Sequence, residues 1–480
     1  MPNLWSESRW STRVQSSAEK CQHNETNNDY SVRSRFQQDY DRLLFSTPVR
    51  RLSDKTQVWP MDENDGVRTR LTHSHEVANL ARSIGTRIHH SNSTLFGTAD
   101  LHNIVQPMLS AIGLAHDLGN PPFGHQGEAA IGRWFQERSG WIFTHKAPHS
   151  EAVLDEPIAE EYQKEFLSFD GNPQTIRLIA KLQTSIHNSG LDLTAATLAA
   201  TIKYPVGAPN QDDSILTRKK YGYFLAEKGL VDWAREETGL EEGQRHPLTW
   251  IMEACDDIAY SVLDVDDAMK KGVISPDDVI AILSTDPRTA DHQLVKRTLD
   301  TFSNVVEAKR RPEIARDIKI GYLRAFFIEA LIEEASNAFT KYGEDITNFS
   351  HEIPLMEGNN LCDTLKGIAR QYAFGHPAVL KMEALGAEAV NGLMSAFWEA
   401  IHDRKESDFN KLDGKRRGPK NKFVFALISQ NYLDDAINCA TPGLASSIRY
   451  RELRLLTDML AGMTDTFAIK LWNEVKSLGQ

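Results

Sequence analysis

The chain has few cysteines and no long apolar run. Only four of its 480 residues are cysteine, at positions 21, 255, 362 and 439, and no two of them form a Cys-x-x-Cys pair. This spacing argues against a disulfide framework and against a thiolate zinc site. No run of about 18 apolar residues predicts a membrane span, and the polar N-terminus lacks the apolar segment of a secretory signal. We therefore expect a cytoplasmic protein.

Basic residues are fewer than acidic residues. The chain has 66 Asp and Glu against 54 Lys and Arg, a formal net charge of −12, so its surface as a whole does not attract nucleic acid. An anionic substrate would need a local basic pocket that works against this overall field. The phosphate-binding loop GxxxxGK[ST] is absent, which excludes a P-loop NTPase.

Alternating apolar and polar residues, the pattern of β-strands, are scarce. Apolar residues instead recur at steps of three and four, which is typical of helices that bury one face. This spacing predicts helices in most of the chain, over 72–88, 174–202, 247–270, 276–284, 293–307, 313–340, 378–402, 422–437 and 450–476. The sequence therefore predicts an all-α fold.

Composition suggests three parts along the chain. Residues 1–30 are polar and rich in Ser and Asn, which predicts a flexible N-terminal arm. A break near Lys271–Pro276 separates a half that carries the chemistry, residues 31–275, from a helical half, residues 276–480. We expect the second half to complete the pocket and to form oligomer interfaces.

The informative segment runs from His116 to Glu128. It reads HDLGNPPFGHQGE and follows an apolar stretch, so a Gly/Pro turn returns a second His and a Glu towards the first His-Asp pair. A second cluster, Asp256-Asp257, places two carboxylates inside an amphipathic helix, where burial demands a metal or a basic partner. Imidazole and carboxylate ligands suit Mn, Fe, Mg, Co or Zn. One His or Asp alone is more often solvated, so the argument depends on the whole pattern.

At these residues the chain closely resembles the deoxyguanosinetriphosphate triphosphohydrolase-like branch of the HD superfamily of metal phosphohydrolases. Seven segments match in order and cover most of residues 34–270: SRFQQDYDRLLFSTPVRRLSDKTQVWP (34–60), VRTRLTHSHEVANLARSIG (67–85), GLAHDLGNPPFGHQGEAAI (113–131), FDGNPQTIRLIAKL (169–182), GLDLTAATLAATIKYP (190–205), KKYGYF (219–224) and HPLTWIMEACDDIAYSVLDVDDAM (246–269). Beyond them the likeness is weaker, although ELRLLTDMLAGMTDTFA (452–468) is similar to the family's closing helix. The resemblance implies an HD-type helical core with additional C-terminal helices.

The resemblance also implies one divalent ion, Mn²⁺ or Mg²⁺, held by His73, His116, Asp117 and Asp256. Asp257 is the competing carboxylate; Asp256 is preferred because the family's ligand lies four residues before a substrate-facing tyrosine, which would be Tyr260 here. His75 lies two residues beyond His73 on a predicted helix, so the two side chains face different directions.

By the same resemblance His125 is the catalytic histidine, acting on the attacking water or on the leaving 5′ oxygen. Glu128, three residues on, would orient it or share its proton. A histidine suits this step because its unperturbed pKa is near ~6.5.

Eight further positions match residues that bind the nucleotide. The phosphate-binding set offers basic and polar groups for phosphate oxygens, namely Arg70, Asn172, Lys203, Tyr204 and Lys220. The sugar-binding set, in which a tyrosine ring would crowd a 2′-hydroxyl, is Gln57, Tyr260 and Asp264. The chain departs from the family at Ser53-Asp54, where we expect a Gln-rich stretch, which puts the local base contact in doubt.

We therefore predict hydrolysis of deoxynucleoside triphosphates, dGTP first, at the α-phosphorus to give deoxynucleoside and tripolyphosphate. One alternative keeps the HD site but acts on a nucleoside monophosphate or an alarmone. Another is a dNTP sensor or single-stranded nucleic-acid binder, suggested by the basic segment Lys411–Lys422; a solvated loop is the simpler interpretation of that segment. The family also implies a homo-oligomer, with a hexamer favoured.

Overall fold

The computed structural model describes residues 2–13, 33–61, 64, 66–185, 188–438 and 443–478. In these ranges the chain forms helices joined by loops, and β-type pairing is limited to isolated bridges such as that between Thr56 and Thr69. The predicted all-α class is confirmed. Across the described ranges, none of the helices combines the length and the apolar character needed to cross a bilayer.

The α-helices among the described residues are α1 (Arg35–Leu44), α2 (Thr47–Arg51), α3 (Arg70–Ser91), α4 (Gln106–Ala115), α5 (Gly124–Gln136), α6 (Ser139–Ile142), α7 (Glu160–Leu167), α8 (Gly171–Ala180), α9 (Ala195–Thr201), α10 (Lys228–Thr238), α11 (Pro247–Lys270), α12 (Pro276–Thr285), α13 (Gln293–Glu307), α14 (Pro312–Lys341), α15 (Gly343–Thr347), α16 (Asn360–Ile368), α17 (Pro377–His402), α18 (Pro419–Ala426), α19 (Gln430–Ile437), α20 (Ile448–Ala461) and α21 (Asp465–Ser477).

Three predicted helices are each interrupted. The helix predicted over 174–202 ends at Ala180 and restarts at Ala195, where Thr194 caps α9 by accepting a hydrogen bond from the Thr197 amide. The segments 422–437 and 450–476 likewise restart after Ser429 and after Thr464. Periodicity runs on through such breaks because both neighbouring helices bury an apolar face, whereas the capping residues end and begin the hydrogen-bonded helix.

Two apolar cores stabilise the fold. The first contains residues of α17, α20 and α21 together with α5, α7 and α8; the second contains residues of α3, α11, α14 and α16. Each core draws on both sides of Lys271–Pro276, and the division into two parts at that point stays a prediction.

Helix α4 contributes to both cores. Ala111 and Leu114 belong to the first core, and Leu109 and Ile112 to the second. A Cβ on Gly113 would lie 2.7 Å from the Ala78 Cα of α3, so only glycine permits this close approach of α3 and α4. The residue that follows α4 is therefore held at the junction of the two cores.

The N-terminal arm was predicted to be flexible over residues 1–30. Residues 2–13 lie against the body: Arg9 pairs with buried Asp39 at 2.9 Å, and the ring of Trp5 packs edge-on against His246 at 5.5 Å. The rest of the predicted arm, from residue 14 onward, lies outside the described residues.

Candidate active site

Two imidazoles and two carboxylates converge where α3, α4 and α11 meet. One possible ligand atom from each of His73, His116 and Asp117 lies within 4.8 Å of the others. The Asp256 Oδ1 lies 3.3 Å from the His73 Nε2 and 3.4 Å from the His116 Nε2. Helix α3 supplies His73, the end of α4 supplies His116 and Asp117, and α11 supplies Asp256.

The nitrogen atoms are oriented as ligands of a cation require. The His116 Nδ1 donates to the Gly113 carbonyl at 2.7 Å, which leaves Nε2 as the lone-pair atom facing the carboxylates. Within the described part of the chain, the His116 Nε2 and the His73 Nδ1 are buried without a well-formed hydrogen bond. Buried polar atoms normally have a partner, so this donor set fits a divalent metal ion.

The charged side chains of this cluster shift one another's pKa values. Burial works to lower the pKa of His116, but Asp117 and Asp256 outweigh it and raise that pKa to about 9. Burial works to raise the pKa of Asp117, and Arg70 together with His116 lowers it to about 2. The Arg70 Nη1 lies 2.5 Å from the Asp117 Oδ2. The two carboxylates therefore favour positive charge between them.

The structure separates the two neighbouring acids of α11. Asp256 faces the imidazoles, whereas the Asp257 Oδ1 accepts a hydrogen bond at 2.7 Å from the Lys366 Nζ of α16. His75 lies on the exposed side of α3, while His73 is fully buried. Asp257 and His75 are thus both directed away from the cluster.

His125 stands near the start of α5, after a turn with left-handed backbone at Phe123 (φ 63°) and Gly124 (φ 54°). Its Nδ1 lies 3.0 Å from the Glu128 Oε2, and this hydrogen bond raises the pKa of His125 above its usual value. The other Glu128 oxygen accepts from the Gly171 amide at 2.7 Å. The imidazole is 83% exposed and lines an open cavity of about 500 Å³, so it is accessible to a ligand.

The predicted phosphate-binding residues fall into two groups. Arg70 and Lys203 touch the clustered acids: the Lys203 Nζ lies 3.7 Å from the Asp256 Oδ2. Lys220 and Asn172 meet at Asp170, whose carboxylate pairs with Lys220 and accepts from the Asn172 Nδ2 at 2.6 Å.

Two of these side chains differ in their access to a ligand. Lys220 lines the same cavity as His125. Tyr204 is buried, with 5% of its surface exposed.

The predicted sugar-binding residues carry buried, unused hydrogen-bonding atoms. Within the described residues, both carboxylate oxygens of Asp264 and the Oε1 of Gln57 are buried without a partner. Burial raises the pKa of Asp264 well above its ordinary value. Tyr260, one turn before Asp264 on α11, stacks on Phe374 with ring centroids 5.4 Å apart. These atoms can receive the hydroxyl groups of a ligand.

Sequence reasoning missed two residues that hold the site together. The Asn120 Nδ2 donates to the Asp117 Oδ1 at 2.6 Å. Glu253 lies 3.7 Å from the Lys203 Nζ and accepts from the Arg245 Nη1 at 2.6 Å. Their positions, three residues after Asp117 and three before Asp256, were the only sequence signals for them.

Comparison with known proteins gives a consistent assignment. No protein-family model matches the chain. The "deoxyguanosinetriphosphate triphosphohydrolase-like protein" of Listeria monocytogenes is 32% identical, with 93% of this chain and 95% of the relative covered. The protein of the same name from Synechocystis is 31% identical over 93% and 94% of the two chains.

The "deoxyguanosinetriphosphate triphosphohydrolase" of Klebsiella pneumoniae is 31% identical over 92% and 93% of the two chains. These matches reach well past residue 270, where the motifs alone gave a weak likeness, and they confirm the resemblance. The chain therefore belongs to the deoxyguanosinetriphosphate triphosphohydrolase-like family.

Proposed function

We propose that this protein hydrolyses deoxynucleoside triphosphates at the α-phosphorus and releases deoxynucleoside and intact tripolyphosphate, with dGTP as the preferred substrate. The observation that carries the proposal is the convergence of His73, His116, Asp117 and Asp256, where buried imidazole nitrogens lack a well-formed hydrogen bond among the described residues. Arg70 connects this cluster to the turn before His125, since it pairs with Asp117 and its Nη2 lies beside Gly124. Full-length relatives named for this reaction support it.

We assign Mn²⁺ or Mg²⁺ to the four clustered ligands. A cation held there would polarise the α-phosphate oxygens and make an attacking water more acidic. The chain's own contribution is orientation: the Gly113 carbonyl fixes the His116 ring, and Arg70 and Asn120 fix the Asp117 carboxylate. Such supporting partners set ligand direction and basicity in metal sites.

His125 is assigned the proton transfer to the departing 5′ oxygen. Glu128 holds the Nδ1 side of the ring and raises the pKa of the imidazole, so the imidazolium form persists to higher pH than it would without Glu128 and can release its Nε2 proton to the leaving group. Glu128 is in turn fixed by the Gly171 amide. The pair therefore acts as a general acid with a held orientation.

Substrate binding is assigned to two sets of side chains on either side of the reacting phosphorus. Arg70, Asn172, Lys203, Tyr204 and Lys220 would bind the triphosphate, and Gln57, Tyr260 and Asp264 would bind the sugar. Phe374 stacks against Tyr260, and this contact supports the tyrosine ring in the place where it would crowd a 2′-hydroxyl. A protonated Asp264 can donate to and accept from the 3′-hydroxyl.

Product analysis tests this function directly. Each of the four dNTPs is incubated with the protein and Mn²⁺ or Mg²⁺, and ion chromatography separates tripolyphosphate from pyrophosphate and phosphate. We expect tripolyphosphate and deoxynucleoside in equal amounts, fastest from dGTP. The matched pair His73→Gln and His75→Gln separates the site from the helix surface: the first abolishes product and the second does not. Pyrophosphate or single phosphate as the product contradicts the proposal.

The nucleic-acid alternative receives little support from the basic segment Lys411–Lys422. Arg416 is buried, with its guanidinium 3.4 Å from the Phe425 ring centroid, and Arg417 pairs with Asp403 at 2.8 Å. Two of the five Lys and Arg side chains in residues 415–422 are thus engaged within the chain. A salt-dependent gel shift that is lost when Lys415, Lys420 and Lys422 are neutralised would revive this alternative.

Assembly and compartment remain proposals. We propose a homo-oligomer, a hexamer first, which sedimentation equilibrium would measure as the ratio of particle mass to 54.0 kDa. Cys255 and Cys362 are buried free thiols, as a reducing compartment permits, and we propose the cytoplasm.

A further inference from the structure

The turn between the metal ligands and His125 has a backbone that needs support. Phe123 adopts the left-handed conformation (φ 63°, ψ 20°), which a residue with a side chain adopts only when its surroundings hold it. Gly124 follows with φ 54°, and a Cβ there would lie 2.5 Å from the Arg70 Nη2. His125 comes directly after these two residues, so its place depends on whatever holds the turn.

A carboxylate from the far end of the chain holds Phe123. Asp465, the first residue of α21, is buried, with 1% of its surface exposed. Its Oδ1 accepts from the Phe123 amide at 3.0 Å. Its Oδ2 accepts from the Thr56 amide at 3.0 Å and also from the Thr56 hydroxyl. Both oxygens are therefore used, and every partner is a donor.

Two further contacts secure the same turn. The Lys55 Nζ donates to the Asn120 carbonyl at 2.5 Å and to the Ala461 carbonyl, at the end of α20, at 2.7 Å. The Phe123 ring lies flat against Gly386 of α17, where a Cβ would be 2.4 Å from the ring. The turn is thus fixed at both ends by α17, α20 and α21.

We propose that Asp465 is a positioning residue for His125: its carboxylate fixes the left-handed turn at Phe123 and thereby sets the distance from His125 to the metal ligands. This inference rests on the proposed function for its catalytic consequence. It also gives α21 a role in catalysis without any contact with substrate.

The test is Asp465→Asn. Asparagine has nearly the same shape as aspartate, but its NH₂ group cannot accept a hydrogen bond, so at least one of the three donors loses its acceptor. We expect kcat to fall by about 10²-fold, because a catalytic group displaced by about 1 Å costs that much. KM should change less than kcat, and the Mn²⁺ concentration for half-maximal activity should stay within about twofold, since the proposed metal ligands lie on α3, directly after α4 and on α11. The matched control is Thr466→Ala, whose hydroxyl donates to exposed Asp54 and whose loss should leave kcat unchanged.

Hydrogen exchange of the turn gives a readout that needs no substrate. In Asp465→Asn, peptides covering residues 118–130 should exchange faster than in the wild type, while peptides of α3 and α11 should not change. If wild-type protein released no tripolyphosphate from any dNTP, the proposed function would fail, yet this exchange would still report whether Asp465 holds the turn. Unchanged exchange, or a loss of activity that appears only in KM, overturns the inference.

Thr56 and Gly386 provide variants that leave the carboxylate in place. Thr56→Ser keeps the hydroxyl donor and should retain wild-type kcat, whereas Thr56→Val removes it and should show part of the Asp465→Asn defect. Gly386→Ala pushes on the Phe123 ring and should accelerate exchange over 118–130 as well. If Asp465→Asn does not fold, the Thr56 and Gly386 variants decide. The inference is contradicted if Thr56→Ser and Thr56→Val have equal kcat and Gly386→Ala leaves exchange over 118–130 unchanged.

Discussion

Two clusters of buried charge in this protein differ in how fully their atoms are paired. Around Arg177 of α8, the guanidinium makes hydrogen bonds of 2.7–2.9 Å to Asp458 and of 2.8 Å to Glu227 and Asp435. The cluster around Asp256 instead leaves buried imidazole nitrogens without well-formed partners. Both clusters cost desolvation energy; the Arg177 guanidinium recovers most of it within the protein, although the buried Oε2 of Glu227 has no partner among the described residues.

The difference separates a structural cluster, around Arg177, from the cluster around Asp256 that we propose to be reactive. Arg177 and Asp458 join α8 to α20, so their pairing closes the interface that covers the turn after His116. The cluster around Asp256 has unpaired donor and acceptor atoms that a cation and a substrate could use. Unpaired atoms that point to a common space are therefore the better marker of a site than buried charge itself.

Asp256→Asn should produce the largest effect on activity. The substitution removes one negative ligand, and we expect tripolyphosphate release to fall by at least about 10³-fold. Asp257→Asn is the matched control and should retain activity within a few fold. Comparable losses in both variants would remove the distinction between the two acids.

Asp458→Leu should produce the largest effect on stability. Its carboxylate is fully buried, and removing it strands Arg177, which should lower the free energy of unfolding by about 3–5 kcal/mol. Urea denaturation in the absence of metal measures the loss, and the activity per folded molecule should stay near that of the wild type. A stable Asp458→Leu protein would mean that the Arg177 cluster does not hold α8 to α20.

The same substitution at Asp264 should have the opposite sign. Asp264 is as deeply buried as Asp458 but makes no hydrogen bond within the described residues, so Asp264→Leu should raise the free energy of unfolding by about 1 kcal/mol. Losing a hydrogen bond to the substrate should raise KM for dGTP about tenfold. Destabilisation by Asp264→Leu, or an unchanged KM, would show that this carboxyl group belongs with the structural cluster.

The sequence predicted the reactive cluster far better than the structural one. His116, Asp117 and His125 are close along the chain in one motif, Asp256 is one of two adjacent acids in a predicted helix, and the family resemblance joined these residues and His73 into one proposed site. Arg177 and Asp458 are 281 residues apart, and no local spacing records that they meet. The Asp465–Phe123 contact, across 342 residues, was unpredictable for the same reason.

Helical periodicity likewise predicted only part of the fold. It indicated the class and most helical segments, because one buried face leaves a repeating pattern. It ran through the breaks at Thr194, Ser429 and Thr464 because a helix end depends on single residues; the side chains of Thr194 and Thr464 cap the helix that follows, and that of Ser429 does not. It could not predict that α4 contributes to both apolar cores, because that depends on how distant helices pack against it.

The smallest expected effect is a shift in the pH dependence of kcat. It tests whether the His125–Glu128 pair acts together with the proposed reactive cluster. Glu128 raises the pKa of His125 through its hydrogen bond, while burial, Arg70 and Lys220 work to lower that pKa. If the imidazolium is the general acid, kcat falls as pH rises through this pKa. In Glu128→Gln the negative charge is gone and the pKa falls, so the alkaline limb of kcat should move to lower pH. Glu137→Gln, an exposed acid just after α5, is the control and should leave the limb in place. A limb that stays fixed or moves to higher pH in Glu128→Gln would mean that His125 is not the acid, because Glu128 is the group that raises its pKa among the described residues.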